Sequence, residues 1–257
     1  PLFFKIYRAI ISTIKKKLCK HYFKICLILY RIRKETMKKI REFLHKYRHA
    51  WLLSYAFIYL PWFMYLERTV TRDYHIMHAS LDDLIPFNEY FIIPYLLWFL
   101  YVAGTLVFFL FRSKEDYYKM CTFLFSGMTL SLIICTFFHN GTDFRPVIDP
   151  NKNIFSAAVA ALYKTDTCTN VFPSIHVYNA VGTHIAISRS QILAKYRFLR
   201  LGSLLLTISI CLATMFLKQH SIIDVCGAFL MSYAIHYLVY GYATDTEDKK
   251  ITEKALG

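Results

Sequence analysis

From residue 50 onward the chain alternates long apolar runs with short polar connections, the runs lying at 50–66, 90–111, 120–138, 171–188, 201–217 and 222–240. Each is at or near the ~20 residues that a helix needs to cross a bilayer. The pattern therefore predicts an all-α, polytopic membrane protein, a bundle of six transmembrane helices. Pro61 and Pro94 fall inside runs, which a membrane bundle tolerates where neighbouring helices supply hydrogen bonds. The first run, AWLLSYAFIYLPWFMYL, follows a basic stretch as a signal peptide would, but no small-residue cleavage site comes after it. It reads as a retained anchor.

Composition agrees: 56% of the 257 residues are hydrophobic and only 8 are glycine, too apolar and too poor in turn residues for an ordinary soluble domain. The net charge of +14 would suit a nucleic-acid partner, but its distribution does not. Residues 1–50 hold fifteen Lys and Arg against Glu35 and Glu42, and the remaining sixteen basic and fifteen acidic residues nearly cancel. Such a block beside a first span is what the positive-inside tendency produces, and it attracts anionic lipid headgroups. No nucleic-acid partner is expected. Residues 1–49 are read as a basic, amphipathic interfacial helical arm, in which FKICLILY at 23–30 is too short to cross. Met37 opens a stretch that would itself make a protein start. Residues 50–241 form the membrane domain, and 242–257 a polar, disordered tail. The seven cysteines show no CxxC spacing and are assigned to packing.

Basic residues also set the orientation. The arm, Arg112, Lys114 and Lys119 in one connection, and Arg189, Lys195, Arg197 and Arg200 in another belong on the cytoplasmic side. A multi-pass plasma-membrane protein with both termini cytoplasmic follows. The acidic loop 67–89 and the long loop 139–170 then face outward. This brings Arg145, His176 and His220 to the outer ends of helices, where polar groups cost less than at the bilayer centre.

Three blocks stand out against the apolar background: DFRP at 143–146, NVFPSIHVYN at 170–179 and KQHSIID at 218–224. His220 and Asp224 are four apart and share a helix face. The carboxylate would orient the imidazole and leave its other nitrogen free as nucleophile or base; equally, the two would form a buried polar pair tying helices together. His176 stands at a helix start behind Pro173 and Ser174, where free N–H groups gather into an anion cradle, and a histidine there suits proton donation. Arg145 offers a planar fork for phosphate oxygens.

In this order the blocks resemble the type 2 phosphatidic acid phosphatase and haloperoxidase superfamily, whose pattern runs K-x6-R-P, P-S-G-H, S-R-x5-H-x3-D. The resemblance implies attack of His220 on phosphorus to give a phosphohistidine, orientation by Asp224 and leaving-group protonation by His176. The phosphoryl oxygens would be held by Arg145 and by Ser174 and Ile175 of the second block. No cofactor and no metal is implied. The chain departs from the pattern at Phe138, where lysine belongs, at Ile175, where glycine belongs, and at Ala213 and Thr214 in place of Ser-Arg. Lys218 is a candidate to restore one charge, and His139 and Asn140 are auxiliary candidates near the missing lysine. FPSIHV together with TMFLKQHSIIDV is most similar to the inositol phosphorylceramide synthase and sphingomyelin synthase branch.

The expected activity is thus hydrolysis of a phospholipid or isoprenoid phosphate at the extracytoplasmic face, with transfer of a phospho-headgroup between lipids as the alternative. Two other readings stay open: a zinc hydrolase on His176, His220 and Asp224, and a non-catalytic phospholipid-binding or transport protein. His184 and His236 are read as structural. The oligomeric state has no signal.

Overall fold

The computed structural model describes residues 30–241, so FKICLILY except its last residue, and the tail 242–257, lie outside the described residues. The chain divides after Arg48 into two units. In the first, residues 30–46 form a helix, α1, exposed throughout, with Met37, Ile40, Phe43 and Leu44 among its uncovered apolar side chains.

A 3-10 helix, Arg48–Tyr55, all but its first residue in the second unit, runs into α2 (Ala56–Thr69). The short α3 (Ser80–Leu84) follows, then the long α4 (Ile92–Arg112) and α5 (Lys114–Phe137). A 12-residue helix, α6 (Ile154–Thr165), leads to α7 (Ile175–Arg189), α8 (Arg197–Phe216) and α9 (Ile222–His236), the last continuing as a π-helical turn, Tyr237–Gly241. The described residues are mostly helical. Their β-structure is a two-residue parallel pair, β1 (His75–Ile76) with β2 (Asn140–Gly141), in the register His75 opposite Asn140, plus a bridge from Gly141 to Thr169.

Among the described residues four helices are long and apolar enough to cross a membrane: Glu89–Arg112, Lys114–Phe137, Arg197–Phe216 and Ile222–Gly241. The first and fourth apolar runs give shorter helices than expected, 14 residues in α2 and 15 in α7. For α7 the reason is local. Pro173 lacks an N–H to donate, and Ser174 is the cap, so the helix starts four residues into the run.

Packing explains why α7 can be short. It lies against α4, α5, α8 and α9 and buries Val177, Tyr178, Asn179, Ala180, Gly182, Thr183, Ala186 and Ile187, a face too small and too polar for lipid. Close approach to α5 requires glycine on both sides. A Cβ on Gly127 would run into the Tyr178 ring, and one on Gly182 into the Phe123 ring. Those two rings stack at 4.9 Å and 12°, and Tyr178 Oη donates to Phe123 O at 2.6 Å. His184 pairs through Nδ1 with Ser203 Oγ on α8 at 3.0 Å, while His236 stacks on Tyr240.

Candidate functional site

The helix ends fall into two sets. At one end the C-termini of α2, α5 and α8 meet the N-termini of α4, α7 and α9; Asn88 N donates to Phe216 O, Asn170 N to Asn140 O and Ser174 N to Asp224 O at 2.7–3.1 Å. All three sequence blocks come to this end.

His220 sits in the tight turn between α8 and α9. The turn forms because Lys218 adopts a left-handed backbone, φ 53°, letting Gln219 N and His220 N both donate to Thr214 O at 2.9 and 3.1 Å. Ser221 then caps α9: its Oγ accepts from Ile223 N at 3.2 Å, and its own N donates to Asp224 Oδ2 at 2.9 Å. Asp224 is therefore a capping carboxylate at the third helical position as well as the neighbour of His220. Its Oδ2 lies 3.4 Å from His220 Nδ1, within ion-pair range but without the alignment of a hydrogen bond. Both side chains are buried.

His176 opens α7 behind Ser174, which is fully buried and whose Oγ accepts from Val177 N at 3.4 Å. The His176 ring packs at 4.7 Å from Tyr95, 4.6 Å from Trp98 and 5.7 Å from His220, and its Nδ1 has no partner among the described residues. The two imidazoles thus face one another across the junction of three helices.

Arg145 reaches the same place from the loop. It donates to Asp166 O at 2.7 Å, to Thr167 O at 2.6 Å and to Gln219 Oε1, and its guanidinium lies 4.7 Å from the Tyr163 ring. Gln219 is the residue before His220, so the fork is anchored beside the imidazole turn. Asp166 closes the circuit by accepting from Tyr95 Oη at 2.6 Å, and Tyr95 is the ring against His176. A cleft of about 430 Å³ opens next to Arg145, lined also by Tyr74, Thr142, Asp143, Tyr163, Thr167 and Cys168. Burial raises the Tyr163 phenol to about 12, so it remains a protonated donor, to Leu217 O at 2.8 Å.

The remaining candidates take other places. Lys218 does not point outward: its Nζ donates to Asp82 O at 2.6 Å and lies 5.5 Å from the Phe144 ring. Asn140 is buried and braces two loops, Nδ2 donating to Phe138 O and Oδ1 accepting from Phe172 N, each at 2.7 Å. His139 is exposed, and its carbonyl accepts from His75 N. Ile175 joins the apolar packing around α7. At the departures from the pattern, Phe138 stacks on His75 at 4.7 Å, and Ala213 and Thr214 are fully buried. Among the described residues no three His, Cys, Asp or Glu side chains converge as a metal-ligand set. The arrangement that a zinc site on His176, His220 and Asp224 requires is not formed.

Several neighbours of the site carried no sequence signal: Tyr95, Trp98, Asp166 and, above all, Asp82. Two signals were legible. SIID at 221–224 has capping-box spacing, and Gln219 adjoins the histidine. Comparison with protein-family models, with curated proteins and with solved structures gives no match to this chain.

Proposed function

We propose that the protein is an integral-membrane phosphatase or phosphotransferase of the type 2 phosphatidic acid phosphatase kind, acting on a lipid phosphate ester. The observation that carries this reading is the pair of imidazoles, 5.7 Å ring to ring, one backed by a buried carboxylate and the other at the start of α7. His220 Nε2 attacks phosphorus, and the P–O bond to the leaving group breaks as His176, protonated, gives its proton to the departing oxygen. Water then attacks the phosphohistidine, the neutral His176 takes its proton, and the P–N bond breaks to release phosphate. An alcohol in place of water makes the same cycle a transfer. Asp224 supports the positive imidazole. Arg145 supplies the fixed charge on which phosphoryl transfer depends.

Four membrane-length apolar helices beneath the site support a lipid substrate. If α2 with its preceding 3-10 helix and α7 with its entry turn also cross, the spans number six, and the positive-inside tendency of the Lys- and Arg-rich connections supports a site on the extracytoplasmic side.

A second reading, a non-catalytic phospholipid-binding or transport protein, is favoured by one observation: Arg145 gives three hydrogen bonds to protein acceptors and so serves as a structural tie instead of a clamp on a reacting phosphoryl group. The two are separated by replacing His220 with Ala in purified protein supplied with a panel of phospholipids, isoprenoid phosphates and alcohol acceptors. Turnover should fall by at least about 10³-fold, as loss of a nucleophile does, and a phosphohistidine should be trapped only in the parent. Turnover retained in the variant would remove His220 as nucleophile; no turnover by the parent on any member of the panel would favour the binding protein.

A further inference from the structure

Asp82 lies in the first loop of the membrane domain, a segment whose sequence offers nothing but acidity. The structure makes it the anchor of the His220 turn. Its side chain is buried, 2% exposed, on a helix of five residues whose neighbours Leu81, Asp83 and Leu84 all face outward. Oδ2 accepts from Ser221 Oγ at 2.6 Å and from Ala79 N at 2.8 Å, and Oδ1 accepts from Ile222 N at 2.9 Å. Its main-chain oxygen takes Lys218 Nζ at 2.6 Å. One residue thus holds the chain two positions before His220 and one and two positions after it.

This matters because the imidazole has little else to aim it. The contact with Asp224 is 3.4 Å and unaligned, so the direction of Nε2 is set by the backbone of the turn. That backbone contains a left-handed, non-glycine residue, Lys218, a conformation that persists only where its surroundings hold it. Asp82 supplies the hold on both flanks. Ser221 connects the two carboxylates, donating its hydroxyl to Asp82 and its N–H to Asp224.

We propose that Asp82 is a positioning residue, which fixes the His220 imidazole against His176 through Ser221, Ile222 and Lys218. Its effect on catalysis rests on the phosphoryl-transfer reading above; its effect on the geometry of His220 does not. The test uses the full chain in lipid nanodiscs with Asp82→Asn, Asp82→Ala and Ser221→Ala, and reads two quantities per folded molecule. The first is the rate at which diethyl pyrocarbonate modifies His220, followed by mass spectrometry. The second is kcat and KM on whichever lipid of the panel the parent turns over.

Asp82→Asn should change the His220 modification rate at least about fivefold and lower kcat by about 10²-fold, the cost of displacing a reacting group by about 1 Å, with KM within about twofold. Ser221→Ala, which removes one arm, should move both in the same direction by less. A residue serving only the fold would lower the folded fraction and leave both quantities unchanged in the molecules that remain; that result in Asp82→Asn and Ser221→Ala overturns the assignment. If the parent turns over no lipid, the phosphoryl-transfer reading fails, and the modification rates alone decide on Asp82.

Discussion

The two ends of the membrane unit are built from the same helices and solve opposite problems. At the end away from His176 and His220 the packing comes from an apolar cluster that runs through the bundle, Phe109, Tyr117, Met120, Phe123, Tyr178, Met231 and Tyr240 among its members, and the polar groups are simple fasteners. Ser190 Oγ donates to Asp116 Oδ2 at 2.7 Å, and His49 Nε2 pairs with Leu110 O at 2.9 Å. At the histidine end the buried side chains include Asp82, Asn140, Thr142, Ser174, Gln219, His220, Ser221 and Asp224. Loops supply many of them, and three of the four partners of Asp82 lie some 140 positions away in sequence. One end is held by contact area, which is non-directional and tolerant. The other is held by directional bonds among groups that are costly to bury unpaired. An apolar end can be rearranged by degrees, whereas a polar end is right or broken, which suits a site whose side chains are held in one geometry.

The contrast is open to attack from both sides. The largest effect on stability is expected at the polar end from Asn140→Ala, which strands the Phe138 carbonyl and the Phe172 N–H inside the loop junction. Unfolding in denaturant should reveal a loss of about 3 kcal/mol. If the alanine variant is as stable as the parent, directional bonding does not hold that end. Gly127→Ala strikes the apolar cluster, where its methyl group meets the Tyr178 ring. About 2 kcal/mol of overpacking is expected, and pairing it with Tyr178→Leu should recover part of that; a neutral Gly127→Ala would mean that α5 and α7 can move apart freely. Least of all should follow from Lys119→Ala, which breaks the ion pair with Glu115 one turn away and is expected to cost about 0.3–0.5 kcal/mol in low salt and less in high salt. A larger loss would make that rim more than a solvated surface.

Much of the polar end was visible before the fold was. Ser174 and Ser221 announce helix starts because their hydroxyls cap free N–H groups, and the i, i+4 spacing alone puts His220 near Asp224. Lys218 shows the limit. Its position two residues before His220 suggested a charge for phosphate, but the left-handed turn sends its ammonium to Asp82 O. Asn140, near the missing lysine in sequence, is consumed by two backbone groups. In both cases the residue type and spacing suited a ligand, and a backbone partner from a distant segment claimed the side chain instead.

What the sequence determined by itself is whatever repeats locally: apolar runs that become helices, caps that start them, and the cluster of Lys and Arg at the connections. Hydrophobic periodicity and capping act over a turn or two, so they are written in adjacent letters. Whether α7 is a long span or a short, sheathed helix, which buried polar group finds which acceptor, and that a carboxylate at 82 grips a turn at 218–222 were decided only in three dimensions. Such pairings depend on which loops the packed helices bring together, and no spacing rule connects positions that far apart.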